Sequence, residues 1–192
     1  MLTNKAGAAD NRALEARPDV LVFTSAPLTA ALDVAGPVSA RIRVRASGRY
    51  FDLFARLCDV DPRGRSRNVC DGILRCDEVS PGPVTRVTVP MSAAAHRFAA
   101  GHRLRLQVSG GAHPRFARNT GSGEPPATAT RLVVVGLQIL HEAADPCTLL
   151  LPVLPARSDP GGGSGTLSGH HTSRSPDAQP RAAGRPRTDR SA

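Results

Sequence analysis

The chain has 192 residues, a net charge of +9 and 40% hydrophobic residues, but only 3% aromatics, with no tryptophan and a single tyrosine, Tyr50. That length allows one domain of ordinary size with tails, and its core has to be built from Val, Leu, Ile and Ala. Residues 19–155 carry sixteen basic and eleven acidic groups, a dispersed excess that argues against a nucleic-acid-binding face, and no apolar run approaches the roughly 18 residues of a membrane span.

Four cysteines, Cys58, Cys70, Cys76 and Cys147, form no C-x-x-C pair. Their spacing suits neither a metal site nor a redox motif, and with no signal peptide the expected location is cytoplasmic and the expected state is four free thiols. No cofactor or metal is expected.

Residues 1–18 have the texture of a linker or the remnant of something larger, with Pro18 stopping any short helix. From residue 19 the pattern is that of strands. DVLVFT (19–24) is an apolar, β-branched run. Across 37–47, Val38, Ala40, Ile42, Val44 and Ala46 alternate with Ser39, Arg41, Arg43, Arg45 and Ser47. Period-two alternation marks a strand with one wet face, so the arginines line a solvated surface rather than a phosphate clamp. FDLFARLCDV (51–60) is the next strand, and DPRGR (61–65) has turn chemistry. SRNVCDGILRC follows, with Asp71-Gly72 expected as a bulge or turn inside a paired ribbon. PVTRVTVP (83–90) and RLRLQVS (103–109) are further strands, the second with Leu104, Leu106 and Val108 facing inward. RLVVVGLQILHE (131–142) reads as one long strand interrupted by Gly136, and LLLPVL closes the series.

Eight or nine strands in about 135 residues, with frequent turn signals and no amphipathic helix between them, predict an all-β fold: an antiparallel β-sandwich of jelly-roll or immunoglobulin type across 19–155. The cysteine spacing and the missing tryptophan argue against immunoglobulin. Beyond residue 155 the chain is rich in Gly, Pro, Ser and Arg, with Leu167 its only large apolar residue. Residues 156–192 are therefore expected as a disordered tail, in which His170-His171 is a solvated pair.

Several stretches occur in an order that resembles one family: NRALEARPDVLVFTSAPL (11–28), DVAGPVSARI (33–42), DLFARLCDVDPRGRSRNVCDGILR (52–75), FAAGHRLRLQVSGGAHPRFARNTGSG (98–123) and the terminal LLLPVL. Together they are similar to the C-terminal jelly-roll, galactose-binding-like domain of the X-Pro dipeptidyl-peptidase and cocaine-esterase (CocE/NonD) serine hydrolases. The resemblance implies a partner, an α/β-hydrolase domain with a Ser-Asp-His triad, missing here or carried on a separate chain. It implies hydrolysis of peptide or ester bonds by that partner. No Gly-x-Ser-x-Gly elbow occurs in the chain; GGGSGT (161–166) fails because Thr166 stands where the last glycine belongs. No catalytic residue is carried over. His96, His102 and His113 fall in connections or at a strand start, and His141 ends a strand near Glu142 and Asp145. A His–carboxylate pair without a nucleophile is structural.

HPRFARNTGSG (113–123) is the segment with the most options. Pro114 fixes its backbone, Phe116 needs an apolar anchor, Arg115 and Arg118 flank it, and Asn119 starts a turn. It is either a self-packed loop capping the sandwich or a surface that docks the hydrolase domain through Arg115, Phe116, Arg118 and Asn119. Nucleic-acid contact would call for more exposed aromatics. A domain separated from such a partner should present an apolar or arginine-rich patch at 19–28 and 113–119, open to self-association. The alternative function is a free-standing carbohydrate- or protein-binding module.

Overall fold

The computed structural model describes residues 7–77 and 79–155. The tail expected at 156–192 lies outside the described residues. One helical turn, α1 (Arg12–Glu15), precedes eight strands: β1 (Val20–Thr24), β2 (Leu32–Ala46), β3 (Phe51–Val60), β4 (Ser66–Cys76), β5 (Val84–Phe98), β6 (Arg103–Ser109), β7 (Leu137–Ile139) and β8 (Thr148–Leu150). They form two antiparallel sheets. One has the order β1-β6-β3-β4; the other has the order β5-β2-β7, with β8 also pairing β2. This is the expected all-β jelly-roll sandwich.

The alternation of 37–47 is realised in β2. Val38, Ala40, Ile42, Val44 and Ala46 are buried between the sheets, and Arg41 and Arg45 are exposed. The core is aliphatic, as the composition requires, with Phe51 and Phe98 its buried aromatics facing inward. Each buried aliphatic side chain contributes roughly 1.5–3 kcal/mol relative to exposure, so the two inward faces hold the sheets together.

At one side the two sheets close on each other where β4 meets β5. Gly72 stands here in regular register opposite Ala55, and the ladder irregularity falls instead between Leu57 and Cys58. The bulge or turn expected at Asp71-Gly72 is therefore absent. The glycine answers a different need: a Cβ on it would lie 1.9 Å from the Pro90 carbonyl oxygen. Pro90 is tolerated because β5 is an edge strand, bonded to β2 alone.

Three other expectations change. β5 runs on to Phe98 instead of stopping at residue 90, because SAAAHRF keeps pairing with the first half of β2 beyond a register shift at Gly36/Val38. The long strand over 131–142 shrinks to Leu137–Ile139. β2 ends at Ala46, so residues 131–136 have no strand beside them. Their backbone is held by Val133 N–H donating to Thr120 O and Gly136 N–H donating to Ser47 Oγ. Leu132 and Val134 stay 68% and 95% exposed. At the N-terminus, residues 7–18 do more than link: Asn11 N–H donates to Ser66 O and Asp10 bridges Arg67, laying α1 on the first sheet.

Gly72→Ala is expected to cost at least about 3 kcal/mol in urea unfolding, since both the Pro90 carbonyl and β4 are fixed by their ladders. A loss under about 1 kcal/mol would show that the sheets do not meet there.

Candidate functional site

β3 is the strand on which the polar chemistry converges. It lies between β6 and β4, and nearly all its residues are buried, on both faces. Its inward face is Phe51, Leu53, Ala55 and Leu57. Its outward face carries Asp52, Phe54, Arg56 and Cys58, and these are covered from three directions.

β4 supplies the first cover by cross-strand pairing. Arg75 donates to both oxygens of Asp52 at 3.0 and 2.9 Å, and Arg56 donates to Asp71 Oδ2 at 3.3 and 3.1 Å. The N-terminal segment supplies the second. Arg56 Nη1 donates to Asn11 Oδ1 at 2.9 Å, and Glu15 accepts from Ser66, from Arg105 at 2.6 Å and from Gln107 at 2.7 Å. That explains why Gln107, on the outward side of β6, is 1% exposed.

The segment 113–119 supplies the third. Arg115 Nη1 donates to Asp71 Oδ2 at 2.8 Å, and Asn119 Nδ2 donates to Asp52 Oδ1 at 2.8 Å. Phe116 lies over Phe54, ring centroids 6.2 Å apart, and Arg75 donates to Ala117 O at 3.0 Å. Asn119 also accepts from Gly121 N–H, which turns the chain. Of the four residues singled out for docking, the structure thus gathers Arg115, Phe116 and Asn119 onto their own sheet. Arg118 is exposed, and among the described residues its guanidinium makes no ion pair.

A second polar centre sits between the sheets at the far end of β3. Asp59 Oδ2 bonds His96 Nε2 at 2.9 Å and Asp59 Oδ1 bonds His102 Nδ1 at 2.8 Å. His96 belongs to β5, not to a connection, and its ring meets Phe98 edge-on with centroids 4.6 Å apart. The carboxylate that pairs with histidine is therefore Asp59, and His141 instead stacks near Phe23 at 5.7 Å. Glu142 and Asp145 pair with Arg43 at 3.1 and 2.9 Å. Asp145 is held below the ordinary carboxylate range by its hydrogen bond from Arg86, with Arg43 adding its charge.

Among the described residues no serine, threonine or cysteine hydrogen-bonds either ring of the His96–Asp59–His102 cluster, so it has a base and an orienting acid but no nucleophile. The cysteines are poor substitutes. Burial pushes Cys58 up to about 12 and Cys70 and Cys76 each up to about 11, which leaves them as thiols at neutral pH. Among the described residues no three His, Cys, Asp or Glu side chains are placed so that they could hold one metal ion. No helix among them is long and apolar enough to cross a membrane.

Sequence reasoning missed Asn11, Glu15 and Asp59. The first two sit in a stretch whose composition resembles a linker. The available signal was the outward face of RLRLQVS, where Gln107 and Arg105 would need polar partners if covered. Asp59 is a charge at an inward position of a strand, which calls for a partner on the facing sheet.

The described residues thus define a jelly-roll sandwich whose polar clusters brace its own strands. The comparisons agree. The model of the X-Pro dipeptidyl-peptidase C-terminal non-catalytic domain matches residues 2–149. Cocaine esterase of Rhodococcus sp. (strain MB1 Bresler) is 36% identical over 126 residues, covering 61% of this chain and 22% of that protein. An α-amino acid ester hydrolase structure superimposes with a TM-score of 0.68 at 27% identity, over 77% of this chain and 27% of the other. A CocE/NonD family hydrolase from Staphylococcus aureus shares the fold, with a TM-score of 0.54 at 15% identity over 70% of this chain and 30% of that one. The chain belongs to the family of X-Pro dipeptidyl-peptidase C-terminal non-catalytic domains. It spans about a fifth of the length of cocaine esterase.

Titration of the native protein with a thiol reagent at pH 8 is expected to modify Cys147 quickly and the other three cysteines only on unfolding. Rapid reaction of two or more thiols would contradict the burial described here.

Proposed function

We propose that the chain serves as the non-catalytic β-sandwich module of a serine hydrolase of the dipeptidyl-peptidase and ester-hydrolase kind, packing on a hydrolase domain and stabilising it. The observation that carries this reading is the match to a non-catalytic domain over 2–149, joined to a site in which no nucleophile reaches a histidine among the described residues. Catalysis belongs to the hydrolase domain, and no residue of 7–155 is assigned to it.

The docking surface is proposed at 113–119 together with 19–28. Phe116, Arg115 and Asn119 fix the loop from beneath, so its outer side is preorganised and loses little entropy on binding. Arg118 is the side chain left to reach outward to a carboxylate or a carbonyl. On the same outward face of the sheet, Val20 and Val22 of β1, partly exposed and paired with Ser109 and Gln107, supply the apolar surface of the 19–28 part. The same surface is the proposed route of any self-association.

Two measurements test this. The purified chain should leave 4-nitrophenyl acetate unhydrolysed above background and take up no fluorophosphonate probe; stoichiometric labelling of a serine would overturn the reading. The docking proposal is tested in Rhodococcus cocaine esterase carrying residues 2–149 in place of its matching segment. Arg118→Glu should lower the thermal-inactivation midpoint of that chimera by roughly 1 °C, the shift that about 1 kcal/mol produces in a protein several times the length of this domain, at about 2.1 cal/mol/K of unfolding entropy per residue. The unfolding midpoint of the isolated chain should not move. An unchanged chimera would remove Arg118 from the interface.

A further inference from the structure

Opposite the closed β4–β5 side, the two sheets part and leave a cleft of about 420 Å³ between β1 and β6 on one wall and β7 and β8 on the other. It reaches the core: Ile42 at its floor is 1% exposed and Val108 is 2% exposed. Phe23, Leu104, Ile139 and Leu149 form the walls. Phe23 of β1 and His141, two residues beyond β7, stand 5.7 Å apart beside it.

The polar atoms around the cleft are mostly committed. Ser25 Oγ donates to Ala26 O at 2.7 Å and accepts from Leu104 N–H at 3.0 Å. Thr24 Oγ1 accepts from Arg105 at 2.9 Å. The Cys147 thiol donates to Leu140 O at 3.2 Å and accepts from Arg43 N–H at 3.4 Å. Among the described residues no Asp, Glu, Lys or Arg lines it. The volume falls within the range of small-molecule sites, about 300–1,000 Å³. An apolar space of this kind favours hydrocarbon over ions, because a charge entering it would lose hydration, and His141, when protonated, is the sole side chain among the described lining residues that could offer an anion a counter-charge.

The geometry points to a binding site for an uncharged, predominantly hydrocarbon small molecule, aromatic or alkyl, in the cleft between β1–β6 and β7–β8. The site takes no residue from the 113–119 loop and shares Phe23, Thr24 and Ser25 with the 19–28 part of the proposed docking surface. The 420 Å³ corresponds to roughly a dozen methylene-sized groups, taking about 30 Å³ for each as for a water in the liquid. Selectivity follows from charge: an alcohol can leave its hydroxyl at the rim near Thr148, whereas a carboxylate of the same length cannot shed its hydration there.

The full chain is tested with N-phenyl-1-naphthylamine, an uncharged fluorescent probe. The absence of tryptophan gives a clean background. Saturable one-to-one binding is expected, and saturating probe should slow the labelling of Cys147 in the unaltered protein at least tenfold. Decanol should displace the probe at a concentration at least tenfold lower than decanoate at pH 8. Ile139→Phe, which fills the cleft, should weaken binding at least tenfold. Unchanged Cys147 labelling at saturating probe would overturn the proposal even if that variant failed to fold. So would loss of binding in Val134→Ser, which would place the probe on the exposed 131–135 run.

Discussion

Asp52 and Asp71 are carboxylates with side chains only 1% and 3% exposed, on adjacent strands of one sheet. A buried charge is tolerated only when it is paired and hydrogen-bonded. Each therefore draws a guanidinium from the neighbouring strand and a further donor from the 113–119 segment: Asn119 for Asp52, Arg115 for Asp71. This constraint organises the outer face of β3. It fixes where the loop lies, gives Phe116 its anchor on Phe54, and brings Asn11 to the other side of Arg56. The loop and the N-terminal segment together are the third layer of a sandwich that would otherwise expose its central strand.

The two sides of the sandwich then have different characters. Where β4 meets β5, backbone approaches backbone and only glycine fits at position 72. Where β1 faces β7 and β8, short strands cannot cover the inward faces, and the core opens into the cleft. The rigid side gives the module its stability and the covered face gives it a surface of fixed shape. The histidines fit this view: Asp59 holds one from β5 and one from the turn before β6, tying both sheets at that end.

Much of the fold was legible in the sequence because strand alternation is a local property. Arg41 and Arg45 read as a wet face, and Leu104, Leu106 and Val108 as the inward side of a strand, from residue order alone; Arg43, expected on the same wet face, is instead covered by Glu142 and Asp145. The failures are non-local. RLVVVGLQILHE has full strand propensity, but a strand needs a neighbour, and β2 ends at Ala46. Gly72 looked like a turn because the carbonyl of Pro90, eighteen positions away, is invisible in the local pattern. At the site, Phe116 needing an anchor and the arginines needing carboxylates were both readable. Which carboxylates they met was not, since Asp52 and Asp71 come together with the loop only through the pairing of β3 and β4.

The central claim is that the buried carboxylates of β3 and β4 hold the 113–119 layer in place. A double-mutant cycle of Asp52→Ala and Asn119→Ala, followed by urea unfolding, tests it most directly. The account predicts a coupling of about 1–2 kcal/mol, as expected for a hydrogen bond to a largely buried charge. Additivity within about 0.3 kcal/mol would mean that the loop rests on the sheet without being fastened to it, and would contradict the account.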